Sequence, residues 1–112
     1  MAGQQAEEAR AMLREDWAKY RDLVVALQVG VKCGAVEQFP ADLAARRLTN
    51  TMLDEQIRAG LLNDRATDPQ RVSRAWIDQG KTLAEKPEAC DRLTPALRAR
   101  LRKAADDLMN MP

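Results

Sequence analysis

Cys33 and Cys90 are the two side chains best suited to covalent chemistry here, because a thiolate can act as a nucleophile, a soft metal ligand or half of a disulfide. They stand 57 positions apart in a chain of 112 residues, so they form no C-x-x-C redox motif. Three roles compete for them. The first is a structural disulfide that ties the end of one helix to a distant joint. The second is a pair of reduced, buried thiols acting as small hydrophobes. The third is one reactive thiol, activated by the neighbouring charge of Lys32 or Arg92. Both cysteines lie in breaks marked by glycine or proline, "VKCG" and "PEACDRLTP", where backbones of different elements can meet. Only one pair is possible, and closing such a loop is worth about 4 kcal/mol in the chain-entropy model. The disulfide is favoured, and the two thiol readings stay open.

The rest of the composition argues against catalysis. The chain has no histidine, which removes the commonest general base and the commonest metal ligand. Nucleophiles that need a histidine partner are excluded. Two cysteines without histidine make a zinc site only if carboxylates complete it. The carboxylate pairs Glu7–Glu8, Glu15–Asp16, Asp54–Glu55 and Asp106–Asp107 are adjacent in sequence. On a helix, such neighbours do not converge on one point, so they read as solvated faces. The five glycines are scattered at 3, 30, 34, 60 and 80 and form no phosphate loop. Met109 and Met111 are too few to hold copper through thioethers. No enzyme, cofactor or metal site is expected.

Arg98, Arg100, Arg102 and Lys103 raise the question of nucleic acid. Asp106 and Asp107 follow Arg102 and Lys103 by four residues and can neutralise them on the same helix face. The net charge of +1 supplies no long-range field for a polyanion. No nucleic-acid partner is expected, and no apolar run is long enough to span a membrane.

The elements that would position these residues are helical. Hydrophobic residues make up 46% and charged residues 31%, the balance of a folded chain. Aromatics are few, and the good helix formers Ala, Leu, Arg, Gln and Glu dominate. A first helix from about Gln4 to Cys33 carries Leu13, Trp17, Tyr20, Val24, Leu27 and Val31, a seam that should be buried within one subunit, with coiled-coil dimerisation as the alternative. Gly34 suits the residue just past its end. A second helix runs from about Pro40 to Ala59. Ala41, Ala45, Leu48 and Met52 lie on one side and Leu53, Ile57 and Leu61 nearly opposite, so it should touch neighbours on two sides; the alternative is an exposed patch for a partner. Gly60 stops it, and a polar loop leads to Asp68 and Pro69, a helix-start signal.

The third helix carries Val72, Trp76, Ile77 and Leu83, with Gly80 open to close approach by another helix. "PEACDRL" reads as a tight connection of about one helical turn. Thr94 and Pro95 open the last helix, with Leu97, Leu101, Ala104 or Ala105, and Leu108 facing inward. The expected fold is all-α: a single domain over 1–112, with 1–5 and 109–112 frayed, built as a small four-helix array or bundle. An up-and-down path would bring Cys33 and Cys90 to the same pole.

The layout of "VKCG" followed by "ACDRLTPALRARL" resembles that of small exported bacterial helical proteins with one long-range disulfide, the periplasmic acid-stress chaperones among them. The likeness is one of layout and carries no residue over. Together with the favoured disulfide it implies a non-catalytic binding module, helper, inhibitor or chaperone-like factor whose partner is another protein. The expected location is periplasmic or secreted. Met1–Arg10 has neither the basic start nor the apolar centre of an export signal, so such a signal would have been removed. The alternative is a cytoplasmic adaptor or regulatory domain with reduced thiols that touches nucleic acid through its last helix.

Overall fold

Proline-led caps and glycine stops divide the chain where the sequence marks them. The computed structural model describes residues 2–62 and 67–111, without the side chains of 2–6, 9, 10, 12, 13 and 16. Four α-helices follow in order: α1 Ala2–Lys32, α2 Gln38–Arg58, α3 Pro69–Ala84 and α4 Pro95–Met109. A short 3-10 turn, Ala89–Arg92, precedes α4, and no strand occurs among the described residues.

Asp68 caps α3 by accepting from the Gln70 N–H at 3.0 Å, with Pro69 in the first turn. Thr94 does the same for α4, accepting from the Leu97 N–H at 3.1 Å. At the end of α1, Gly34 adopts φ 78°, which only glycine enters without strain. Gly34 then donates to the Val31 carbonyl and Ala35 to the Gly30 carbonyl, the paired bonds of a Schellman ending. The same pair of bonds closes α2 at Gly60.

α2 begins at Gln38, two residues ahead of the expected Pro40 start. The first four N–H groups of a helix have no internal partner, so a proline in the third position loses no hydrogen bond. The Gln38 side chain in turn reaches Asp42 at 2.7 Å and Gln28 at 3.1 Å, which favours the extra turn.

Cross-helix contacts fix the path. Trp17 pairs with Gln56 and Gln28 with Asp42, so α1 and α2 are antiparallel. Trp76 meets Trp17, while Gly80 lies against Val25 and Gln28, so α3 runs with α1. Leu101 and Ala105 pack with Ala41 and Ala44, and Leu108 lies beside Arg47, so α4 runs with α2. The path is up and down, yet the bundle is not a closed square. α1 and α2 form a central pair, with α3 against both and α4 also against both, while the backbones of α3 and α4 do not approach each other.

The seam of α1 is buried as expected at Val24 and Leu27 and half-buried at Trp17, Tyr20 and Val31. Leu13, the first residue of that seam, lies outside the described side chains. Two clusters make the core. One gathers Leu27, Val36, Ala41, Ala44, Leu101 and Ala105 near the α1–α2 joint. The other gathers Val24, Leu48, Met52, Leu53 and Trp76, with Trp17 and Tyr20 against it. α2 contributes to both and touches all three other helices, as its two apolar sides imply. At Gly80 an added Cβ would lie 2.6 Å from Cβ of Gln28 and 3.1 Å from Cα of Val25, so the missing side chain sets how closely α3 approaches α1.

Candidate functional site

Cys33, just past the last turn of α1, and Cys90, in the short turn before α4, are joined by a disulfide with a Cα separation of 5.5 Å. Both joints return to the same pole, and neither thiol is free. The segment this bond secures has little else to hold it. From residue 85 to residue 96 no side chain is buried; only Ala89, Cys90 and Leu93 are even half-covered. Burial of apolar area is the main force that docks a segment, and here it is confined to the half-buried Leu93 on the core.

Arginines supply a second hold. Arg98 donates through Nη1 to the Cys33 carbonyl at 2.8 Å and through Nε to the Leu93 carbonyl at 3.2 Å. One guanidinium thus bridges the same two segments as the disulfide. Arg102 donates to the Ala35 carbonyl at 3.2 Å. From α2, Arg47 donates to the carbonyls of Leu108 and Met111 at the end of α4. Such charge-assisted bonds are stronger than neutral ones and satisfy carbonyls that helix ends leave open. Two of the four cations considered for phosphate contact are therefore turned toward backbone oxygens. Lys103 pairs with Asp107 at 2.9 Å, and that hydrogen bond and charge hold its ammonium above its ordinary pKa.

Because the backbones of α3 and α4 do not approach each other, a cleft opens over α1 between α3, which meets Val25 at Gly80, and the turn before α4. Asp22, Val25, Ala26 and Val29 have the i, i+3, i+4, i+7 spacing of a single helix face. Val25, Ala26 and Val29 floor a half-open cleft of about 340 Å³, with the exposed Asp22 at its edge. Leu83 and Lys86 form one wall, and Glu88, Ala89, Arg92 and Leu93 form the other. The interior is apolar, and the rim carries Asp22 and Glu88 beside Lys86 and Arg92. Leu83, expected on the apolar face of the third helix, is 41% exposed because it stands at this rim rather than in the core.

The sequence reading found the cysteines and missed the cleft. Its signal was present: Val25, Ala26 and Val29 lie off the seam, making α1 apolar on more than one side around the seam's last turns. The bonds from Gln28 and Gln38 to Asp42 were also unforeseen, since they depend on the α1–α2 pairing. The carboxylates behave as solvated groups: Glu7, Glu8, Glu15, Asp54, Asp106 and Asp107 are exposed, and Glu55 accepts from Tyr20 at 3.1 Å. Among the described residues no group of three acidic or cysteine side chains could hold a metal ion. No described helix is long and apolar enough to cross a membrane. Compared with protein-family models, with curated proteins and with solved structures, the chain matches none.

Proposed function

We propose that this is a non-catalytic helical binding module of the bacterial envelope, which takes the apolar face of a partner protein's helix into the cleft between α1, α3 and the turn before α4. The observation that carries the reading is the half-open cleft over α1, where Val25 and Ala26 are half-buried and Val29 is buried at its base. Its apolar residues repeat at helical spacing, and the small Ala26 and Ala89 allow a partner backbone to come close. Charges of both signs on the rim match a mixed protein surface better than a polyanion or an anionic membrane, either of which calls for one sign. Laying an amphipathic helix into such a groove is a common recognition mode. A disulfide between residues so far apart favours an oxidising compartment, periplasmic or extracellular.

The cytoplasmic, nucleic-acid-binding alternative has less support, since Arg98 and Arg102 are committed to carbonyls within the fold. A site-specific photo-crosslinker tests the main reading. Placed at Leu83 on the rim, in protein produced in a bacterial periplasm, it should yield discrete protein adducts. Placed at Asn50, on the exposed side of α2, it should yield few. Equal labelling from both positions would remove the cleft as the binding surface.

A further inference from the structure

We propose that the Cys33–Cys90 bond is the latch of the cleft, so that the cleft exists as a binding site in the oxidised protein and is lost on reduction while the helical core stays folded. The proposal rests on the reading of the cleft as the binding surface. Its basis is where the bond sits. Glu88, Ala89, Arg92 and Leu93, which form one wall, all lie within three residues of Cys90. The floor belongs to α1, whose end carries Cys33. The bond therefore joins floor to wall. No residue from 85 to 96 is fully buried, and the wall's apolar anchoring is confined to the half-buried Leu93, which packs on the cluster around Leu27. The core clusters draw on α1, α2, α3 and α4 and on Ala35 and Val36, and they need nothing from this turn beyond the half-buried Leu93. Breaking the bond removes the wall's main hold and leaves the core's contacts in place.

Neither Cys33 nor Cys90 is a buried residue, so the bond lies near the surface, where a reductant can approach it. The step is ordinary exchange with a dithiol. One thiolate of the reductant attacks a cystine sulfur, the Cys33–Cys90 bond breaks, and a mixed disulfide forms. The second thiol of the reductant then closes its own disulfide, so two electrons pass to the cysteines, which leave as thiols. After that, only Arg98 bridges the Cys33 and Leu93 carbonyls. It holds the wall part of the time. Apparent affinity falls with the fraction of molecules whose wall is in place, so a wall seated ~10% of the time weakens binding roughly tenfold.

The test uses the full chain, oxidised and reduced, with two readouts. Amide hydrogen exchange follows residues 88–93, and fluorescence titration with anilinonaphthalene sulfonate, an apolar probe, follows the cleft. On reduction, exchange over 88–93 should quicken roughly tenfold or more while the core of α1 and α2 stays protected, and probe affinity should fall by a similar factor. Arg98→Met should change little in the oxidised protein and abolish the remaining protection of the turn in the reduced one. Unchanged exchange and affinity on reduction would overturn the latch. So would loss of the whole helical signal in circular dichroism, which would make the bond a staple of the entire fold. If the oxidised protein does not bind the probe, or binds it equally after Val25→Asp, the cleft reading fails and takes the gating with it; the exchange data would still report whether the turn is released.

Discussion

At one end of the bundle, Trp76 of α3 meets Trp17 of α1 edge to face at 5.9 Å, and the Trp17 indole N–H donates to Gln56 at 2.8 Å. Met52, Leu48 and Val24 close around Trp76, which is 6% exposed. At the other end, the stretch from Glu85 to Ala96 has no fully buried residue and is held by one covalent bond, one bridging guanidinium and the half-buried Leu93. The first end is stabilised by area taken out of water, which cannot be switched off. The second rests on a bond that a change of redox compartment can break. A region that gets its position from a removable tie can be released without dissolving the core, and the cleft lies at that region.

The largest expected effect tests the tryptophan end. Trp76→Ala deletes a buried ring, its edge-to-face contact with Trp17 and much of the α3 side of the second cluster. A loss of ~3–5 kcal/mol is expected in denaturant unfolding. If the loss is under about 1 kcal/mol, the α3 interface collapses around the vacancy and burial is not what holds this end. Next comes the disulfide end. Cys33→Ser with Cys90→Ser should lower stability by ~2–4 kcal/mol, mainly through a freer unfolded chain, with native helicity kept. Thiol titration supplies the companion measurement: protein made in an oxidising compartment should show no free thiol even after unfolding. Two free thiols would break both the pairing and the envelope reading.

The third prediction concerns the helix contact between the two ends. Alanine normally stabilises a helix by ~1 kcal/mol over glycine, which on its own would make Gly80→Ala favourable. Here the new Cβ meets Cβ of Gln28 at 2.6 Å and the α1 backbone at 3.1 Å, neither of which is the free end of a flexible side chain. Overpacking should prevail, with a net loss of ~1–3 kcal/mol. Because Gln28 also holds Asp42, the shift should show in the amide resonances of both α1 and α2. A stabilised variant would mean that α3 can back away from α1 at no cost.

These expectations also mark what could be read from the sequence and what could not. Gly34, Gly60, Asp68–Pro69 and Thr94–Pro95 are local signals, each acting within a few residues of itself, and each stands at a helix end in the structure. The cysteine pairing was legible because only one pair exists and both members lie at joints. The roles of Arg47, Arg98 and Arg102 are not legible in the sequence, since their partner carbonyls lie on other elements and come into reach only once the helices are placed. The cleft was legible only in part: the sequence shows the second apolar side of α1, but not what packs against it. Nothing local to Val25 or Val29 says that α3 and α4 stay apart and leave a cleft between α3 and the turn before α4.

The smallest effect sharpens the comparison most. Asp68 caps α3 next to the tryptophan end, and Thr94 caps α4 next to the disulfide end, each through one side-chain oxygen. Taken alone, Asp68→Ala and Thr94→Ala should each cost ~1 kcal/mol, because each leaves an N–H of the first turn without its partner. They should differ in how they couple to the cystine. Thr94 sits between Leu93, which Arg98 holds, and the first turn of α4, so its cap helps fix the direction in which the turn leaves the helix. While the bond is intact, that direction is also fixed through Cys90. Once the bond is gone, the cap and Arg98 carry it together. Thr94→Ala should therefore cost more in the Cys33→Ser, Cys90→Ser background than in the oxidised protein, by ~0.5 kcal/mol or more, the scale at which coupled sites depart from additivity. Asp68→Ala, remote from the cystine, should cost the same in both. A double-mutant cycle on unfolding midpoints measures this, and equal coupling for the two caps would mean that the disulfide acts on the whole chain rather than on its own end.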